Sequence, residues 1–297
     1  MNGPAAGSRP IDHCVLPVAD LAAARVRLAR LGFTVAPEAR HPFGTKNACV
    51  FFADGTYLEP LAVAEREACE AAAKAGNVFV ARDHAFRFRN GEDGFSALAF
   101  STLDAAADDE AFRRAGISAG EPLEFARPFQ GPSGETAEAG FRLAFAADLR
   151  APDVLFFTCE RVNAPAIDRS ALERHANAVT GIAEIMLAEQ NPADFQYFLQ
   201  EVIRQRNEEA SSFGLTLRAA NAKVSVLTPE GMEARLGESV ALPVRGLRLA
   251  AIVFAVRDLA IVERQLRDED ILFRRHGRRI VVAAAPGQSA IFVFEEA

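Results

Sequence analysis

Two ionisable side chains stand where an apolar strand would ordinarily carry none. His13 lies in the run Ile11 to Val18 and Glu59 in the run Tyr57 to Ala62. Burying either group costs free energy unless a partner meets it. A divalent metal ion or a polar ligand would supply that partner; the alternative is a buried ion pair that stabilises a sheet. Side chains alternate along a strand, so His13 shares a face with Val15, and Glu59 with Tyr57 and Leu61. An imidazole and a carboxylate together suit a borderline ion such as Zn, Mn, Fe, Co or Ni. His41 sits in a loop with Pro42, Gly44 and Thr45. Loops set on a rigid sheet often hold chemistry, and histidine titrates near neutrality. His41 is therefore read as a substrate contact or an acid/base group. Glu59 is either a metal ligand or the base. Thr45 and Asn47 can hydrogen-bond a substrate or serve only turn and strand entry, and Tyr57 lines the hollow or belongs to the core. Glu184 is the one polar group on its strand face between Ile182 and Met186.

The elements that must position these groups repeat. The first unit reads as strand Ile11–Val18, helix Asp20–Leu31, and strands near Phe33–Pro37, Asn47–Ala53 and Tyr57–Ala62. The helix rests on the apolar spacing of Leu21, Val26, Leu28 and Leu31, with Asp20 as cap and Gly32 as stop. The second reads as strand Ser96–Ser101, helix Asp104–Ala115, and strands Leu123–Phe129, Glu138–Ala146 and Val154–Cys159. Gly116 follows Asp104 at the same twelve-residue interval by which Gly32 follows Asp20. The third reads as strand Ile182–Ala188, helix Pro192–Arg206 and strands Leu215–Ala220 and Lys223–Leu227, with its last strand unassigned. The fourth reads as strand Leu249–Val256, helix Asp258–Arg267, and strands Ile271–Arg275, Arg279–Ala284 and Ala290–Phe294. The pattern is βαβββ four times, at intervals of roughly 65 to 90 residues, which argues for paired modules rather than a solenoid. A single such sheet covers one face with its helix and needs a partner for the other. Glu65–Lys74 reads as an extra helix between modules, and the polar stretch 160–178 as the join between two domains, 8–162 and 175–297. The basic cluster Arg274–Arg279 reads as a solvated hairpin tip.

Bulk properties narrow the function classes. The chain has 297 residues, half of them hydrophobic, and a net charge of −7. That balance gives no electrostatic case for nucleic acid or an anionic membrane surface. No apolar run reaches 18 residues, so nothing is expected to span a membrane, and the first ten residues show no apolar signal core. The four cysteines have no close spacing, which fits a reducing cytoplasm better than a disulfide framework. Phosphate-binding, nucleophile-elbow and zinc-protease motifs are absent.

The residues Ile11 to His13, Asp20 and Leu21, Leu31 to Phe33, His41 to Asn47 and Tyr57 to Glu59, with His175 to Asn177 further on, resemble the vicinal-oxygen-chelate superfamily. The likeness is to its glyoxalase-like domain branch. It implies an α+β fold of four βαβββ modules paired into two glyoxalase-like domains with cupped mixed sheets, the second of them degenerate. It places His13 and Glu59 on the first- and fourth-strand metal-ligand positions. Glu184 stands where the third module's histidine would be and joins the metal ligands, and His175 joins the substrate contacts Thr45, Asn47 and Tyr57. Ala97 and Ala251 stand at the other two first-strand positions, so no module pair shows a full ligand set. The resemblance implies a lyase, isomerase or dioxygenase acting on a small oxygenated molecule with a divalent metal, or, as the alternative, a metal-free protein that binds or sequesters a small molecule in the same cup. A homodimer is compatible with it.

Overall fold

The computed structural model describes residues 7–130, 136–163, 168–238, 240, 242 and 245–296. The first module comprises β1 (Ile11–Pro17), α1 (Leu21–Arg30), β2 (Ala39–Arg40), β3 (Thr45–Asn47), β4 (Val50–Phe51) and β5 (Tyr57–Val63). Two helices follow, α2 (Arg66–Lys74) and α3 (Val78–Asn90). The second module has β6 (Ala97–Thr102), α4 (Ala105–Arg114), β7 (Leu123–Gln130), β8 (Thr136–Ala146) and β9 (Leu155–Val162). The third has β10 (Val179–Ala188), a 3₁₀ turn at Pro192–Phe195, α5 (Gln196–Ile203), β11 (Glu208–Ser211), β12 (Gly214–Arg218) and β13 (Lys223–Leu227). After α6 (Pro229–Leu236), the fourth has β14 (Arg248–Val256), α7 (Leu259–Asp268), β15 (Arg274–His276), β16 (Arg279–Val282) and β17 (Ile291–Glu296).

The helix starts follow from chemistry visible in the chain. Asp20 accepts from the Ala22 amide at 2.7 Å, Asp104 from that of Ala107 at 2.9 Å and Asp258 from that of Ala260 at 2.7 Å. Each carboxylate satisfies a donor that the first helical turn leaves orphaned. Several expected elements shift. Residues 33–37 form no strand, and the strand expected over 47–53 splits into β3 and β4. The helix expected over 192–206 begins as a 3₁₀ turn and stops at Arg204, whose φ is 58°. The unassigned strand of the third module is β11, ahead of the two that were read. Helices α3 and α6 were not expected at all. Arg87 pins α3 to the first sheet: it pairs with Asp83 at 2.8 Å and donates to the carbonyl of Leu61 at 2.9 Å.

Modules pair edge to edge, through lateral strand pairing rather than through opposed sheet faces. β1 and β6 join antiparallel, giving the strand order β2-β3-β5-β1-β6-β9-β8-β7 with β4 also on β5; β10 and β14 join likewise, giving β11-β12-β13-β10-β14-β17-β16-β15. Each sheet is mixed and cupped. The convex faces and their helices share one continuous core, in which Leu16, Leu28, Phe33 and Phe52 from the first two modules join Phe198, Phe254, Phe292 and Phe294 from the last two. The concave face of the first sheet is packed separately, with Val15, Leu61, Phe145 and Phe157 beneath Cys69, Phe79 and Val80 of α2 and α3. The concave face of the second is closed by Met232 and Leu236 of α6. All four cysteines are buried and unpaired. No helix among the described residues is long and apolar enough to cross a membrane.

Candidate functional site

The first cup gathers six of the eight candidate residues: His13, His41, Thr45, Asn47, Tyr57 and Glu59. β1 and β5 lie side by side and parallel, with His13 opposite Tyr57 and Val15 opposite Glu59. Alternation then turns His13, Tyr57 and Glu59 into the hollow. The pairing of β1 with β6 slips between Ile11 and His13. This bulge lets Asp12 reach round to the ring of its neighbour instead of facing away.

His13 Nδ1 lies 2.6 Å from Asp12 Oδ1, and its Nε2 lies 3.4 Å from Glu59 Oε2. Asp12 is held in turn by Arg161, at 2.8 Å to Oδ1 and 2.7 Å to Oδ2. The His13 ring stacks on Tyr57 with centroids 4.4 Å apart and meets the edge of Phe157 at 5.4 Å. Asn47 Nδ2 donates to Glu59 Oε1 at 2.6 Å, and His41 Nε2 stands 3.6 Å from the same oxygen. His41 Nδ1 lies 2.9 Å from Thr45 Oγ1. The turn that carries His41 depends on Gly44, whose φ is +91° and where a Cβ would stand 2.7 Å from the Glu65 carbonyl. That geometry suits glycine and little else. Phe43 stacks on His41 at 5.0 Å; Phe125, from the far edge of the sheet, meets His41 at 5.8 Å and Phe43 at 5.2 Å.

Burial and neighbouring charge pull these groups in different directions. Burial alone would lower His13, but hydrogen bonds and charge from Asp12 and Glu59 outweigh it and raise its pKa. Burial would raise Glu59, yet His13, His41 and Asn47 bring it down to about 2. Asp12 is likewise held below the usual carboxylate range by His13 and Arg161, against its burial. His41 is lowered to about 4, by burial first and with a contribution from the positive charge of Arg127. The cup therefore holds an ionised Glu59 beside a neutral His41 at cellular pH.

This has a measurable consequence for metal-free protein. The His41 pKa falls from 6.5 unfolded to about 4 folded, so below 6.5 the unfolded chain binds a proton that the folded chain refuses. Stability from His41 is therefore present above pH 6.5 and is lost as pH falls toward 4. Between about pH 7 and about pH 5 the loss is roughly 2 kcal/mol. His13, with its raised pKa, acts with the opposite sign, so the comparison is between wild type and His41→Gln. Urea unfolding in chelator should show that the variant loses less stability on acidification; parallel pH curves would refute the assignment.

A metal ion can be tested against the donors present. A ligating histidine usually gives its other nitrogen to a carboxylate or carbonyl, and Asp12 does this for His13. Nε2 is left facing the Glu59 carboxylate at 3.4 Å, so His13 and Glu59 are the pair that would hold an ion. His41 Nε2 is the nearest third donor, but no group of three His, Cys, Asp or Glu side chains among the described residues stands arranged around one point. The fit is thus that of a two-ligand site with His41 at its margin. The cavity lined by these groups is about 30 Å³. A water needs roughly 10–15 Å³ by the same measure, so an ion with a water or two fits the space as it stands.

Two candidates lie elsewhere. Glu184 is not brought to His13 and Glu59 and cannot ligate with them. It sits in the second cup, where Arg235 holds both its oxygens at 3.0 Å and Arg279 stands 3.4 Å away. Register makes Glu184 and Ser225 the counterparts of His13 and Glu59, and a guanidinium stands beside that pair. His175 is not a cup residue either. Its Nδ1 accepts from the Thr34 amide at 3.0 Å and its Nε2 donates to the Phe51 carbonyl at 2.9 Å, which ties the join between the sheets to the first module. Asp12, Arg127 and Arg161 were missed as site residues. A carboxylate adjacent in sequence to a strand histidine was the one available signal.

A glyoxalase-like domain family model matches residues 11–203. No curated protein matches the chain by sequence. Among solved structures, a hypothetical protein from Staphylococcus aureus superposes with a TM-score of 0.68 at 12% identity, covering 97% of this chain and 99% of the other. A mutant of 4-hydroxymandelate synthase from Streptomyces coelicolor gives 0.62 at 14% identity, covering 97% and 92%. The Mn(II)-bound glyoxalase from Novosphingobium aromaticivorans gives 0.57 at 14% identity, covering 97% and 82%. At these identities the likeness is one of fold.

Proposed function

The chain belongs to the glyoxalase-like domain family, and we propose that its first cup is a metal-assisted enzyme site for a small oxygenated substrate. The observation that carries this reading is the line Asp12–His13–Glu59: a buried imidazole fixed through Nδ1 by a carboxylate, its Nε2 directed at a second carboxylate inside a cavity. Solved relatives in fold include a Mn(II)-bound glyoxalase and a 4-hydroxymandelate synthase, which favours metal chemistry of the lyase, isomerase or dioxygenase kind. His13 and Glu59 would hold the ion, with His41 as the third donor within reach. When bound, a divalent ion polarises a carbonyl or hydroxyl oxygen and stabilises enolate-like charge.

The chain's own groups divide the remaining work. A carboxylate with a pKa of about 2 is a poor proton acceptor near neutrality, so Glu59 serves as fixed charge and ligand rather than as base. His41 is neutral and held by Thr45, so its Nε2 lone pair is free to accept a hydrogen bond or to serve as a donor to an ion, while its pKa of about 4 makes it, too, a weak base near neutrality. Asn47 keeps Glu59 in place through its 2.6 Å bond. Tyr57 and Phe157 hold the plane of the His13 ring. Burial raises the Tyr57 hydroxyl well above its usual range, so it offers a hydrogen bond and not a phenolate.

A second reading, a metal-free binder of the same fold, draws on the absence of a three-donor group among the described residues and on the way Asp12, His13, Glu59 and Arg161 satisfy one another. Metal content separates the two. Protein purified without chelator, then exposed in turn to Mn, Fe, Co, Ni and Zn, is expected to bind one ion per chain and to melt at a higher temperature with it. His13→Ala and Glu59→Gln should abolish both effects. No bound ion and no thermal shift with any of the five would overturn the enzyme reading and leave the binder.

A further inference from the structure

Among the described residues, the cup contains one cationic side chain with no carboxylate partner. Arg127 lies on β7 opposite Ala139, on the same strand face as Phe125. Its guanidinium carbon is 5.4 Å from the centre of the Phe141 ring. It lines the same cavity as His13, His41, Tyr57 and Glu59, and its Nη1 is buried without a hydrogen-bond partner among the described residues. Leaving a charged donor buried and unmet costs more than leaving a neutral one, so a ligand that meets it gains what the free protein lacks. The other charges here are already spoken for. Asp12 answers Arg161, and Glu59 is shared among His13, His41 and Asn47. The uncompensated charge is positive, and a bound divalent ion would make the cavity more so. The remaining walls are apolar: Phe43, Phe79, Phe125, Phe141 and Phe157.

We propose that Arg127 binds the carboxylate of the substrate, and that the substrate is a small aryl carboxylic acid whose ring packs on the half-exposed Phe125 and Phe141 at the mouth of the cup, the enclosed space of about 30 Å³ admitting only its carboxylate. Arg127 is then a specificity-determining residue at the open side of the cup, where Tyr57, Phe125 and Phe141 are also half-exposed. A planar guanidinium with paired donors matches a carboxylate better than an ammonium would. Rings in the ligand meet rings in the wall, a pairing that adds to the gain from buried area. The assignment rests on the reading of the first cup as a small-molecule site and adds the class of molecule.

The test uses the full chain and three probes: phenylacetate, phenylpyruvate and the neutral phenylacetamide. Calorimetric titration with metal-free and Mn-loaded protein should show both acids binding roughly tenfold to a hundredfold more tightly than the amide. Arg127→Gln should remove that preference and leave amide binding unchanged, and Arg127→Lys should retain part of it. Acid and amide binding alike, an unaltered preference in Arg127→Gln, or no binding of any probe would overturn the proposal. The two readings fail separately. If acids bind chelated protein through Arg127 while no metal ever binds, the anchor stands and the metal-enzyme reading falls. If metal binds at His13 and Glu59 while acids and amide do not differ, the anchor alone falls.

Discussion

Asp12→Asn is expected to lower the stability of the protein by about 3 kcal/mol and to weaken metal binding by roughly tenfold to a hundredfold. Both effects come from one carboxylate. Asp12 accepts at once from His13 and from two nitrogens of Arg161, and an amide offers only one acceptor oxygen. If that oxygen faces Arg161, the amide nitrogen faces His13 Nδ1. The ring must then accept at Nδ1 and carry its proton at Nε2, which removes the lone pair that an ion would take. If the amide turns the other way, two donors meet at Arg161. Either arrangement leaves a buried charge partly unmet. Equilibrium urea unfolding and calorimetric metal titration read the two effects separately. A variant with unchanged metal affinity would show that the His13 ring is set by Tyr57 and Phe157 alone.

The second large effect is expected at Asp108, outside the cup. Its Oδ1 accepts from Arg9 at 2.6 Å and from Arg204 at 2.7 Å. Arg9 precedes β1 and is buried, and its backbone amide donates to the Ile203 carbonyl at 2.8 Å. Arg204 caps α5 in the third module. One carboxylate on α4 thus holds two arginines, one from each half of the molecule. Asp108→Ala strands the Arg9 guanidinium without a counter-charge and should cost about 3–5 kcal/mol. Asp108→Asn keeps an acceptor oxygen in place and should lose distinctly less. Denaturant unfolding of the two variants checks the order; a loss under about 1 kcal/mol in the alanine variant would refute it. Neither replacement should alter metal binding at His13 and Glu59.

Much of the fold could be read from the chain because the modules announce their own limits. Aspartates at 20, 104 and 258 cap the helices as the spacing predicts, and Gly32 and Gly116 take positive φ at the stops. The pairing of modules was legible too, but not its manner, since lateral strand pairing leaves no local trace in sequence. α3 escaped notice because it opens on valine and phenylalanine, which suit a strand equally well. That His13, Tyr57 and Glu59 of the candidate site share one hollow was legible because strand alternation aims them the same way. Asp12 was hidden because the bulge breaks that alternation. Arg127 and Arg161 were hidden because only the curl of the sheet brings β7 and β9 near β1. Glu184 looked like a ligand because its neighbours in sequence are apolar, while its arginine partners lie far along the chain on α6 and β16.

The curl of the first sheet leaves its two edges touching without joining. Among the described residues, β2 and β3 at one end and β7 at the other share no strand pairing; there His41 and Phe43 meet Phe125 across the gap through their rings. Such a seam can unzip without breaking a backbone ladder. Ring contacts of this kind hold with on the order of 1 kcal/mol each beyond area burial, so their parting lies within reach of ordinary microsecond-to-millisecond motion. Traffic into the hollow can thus be governed by side-chain rotation at one line while both strand ladders stay intact.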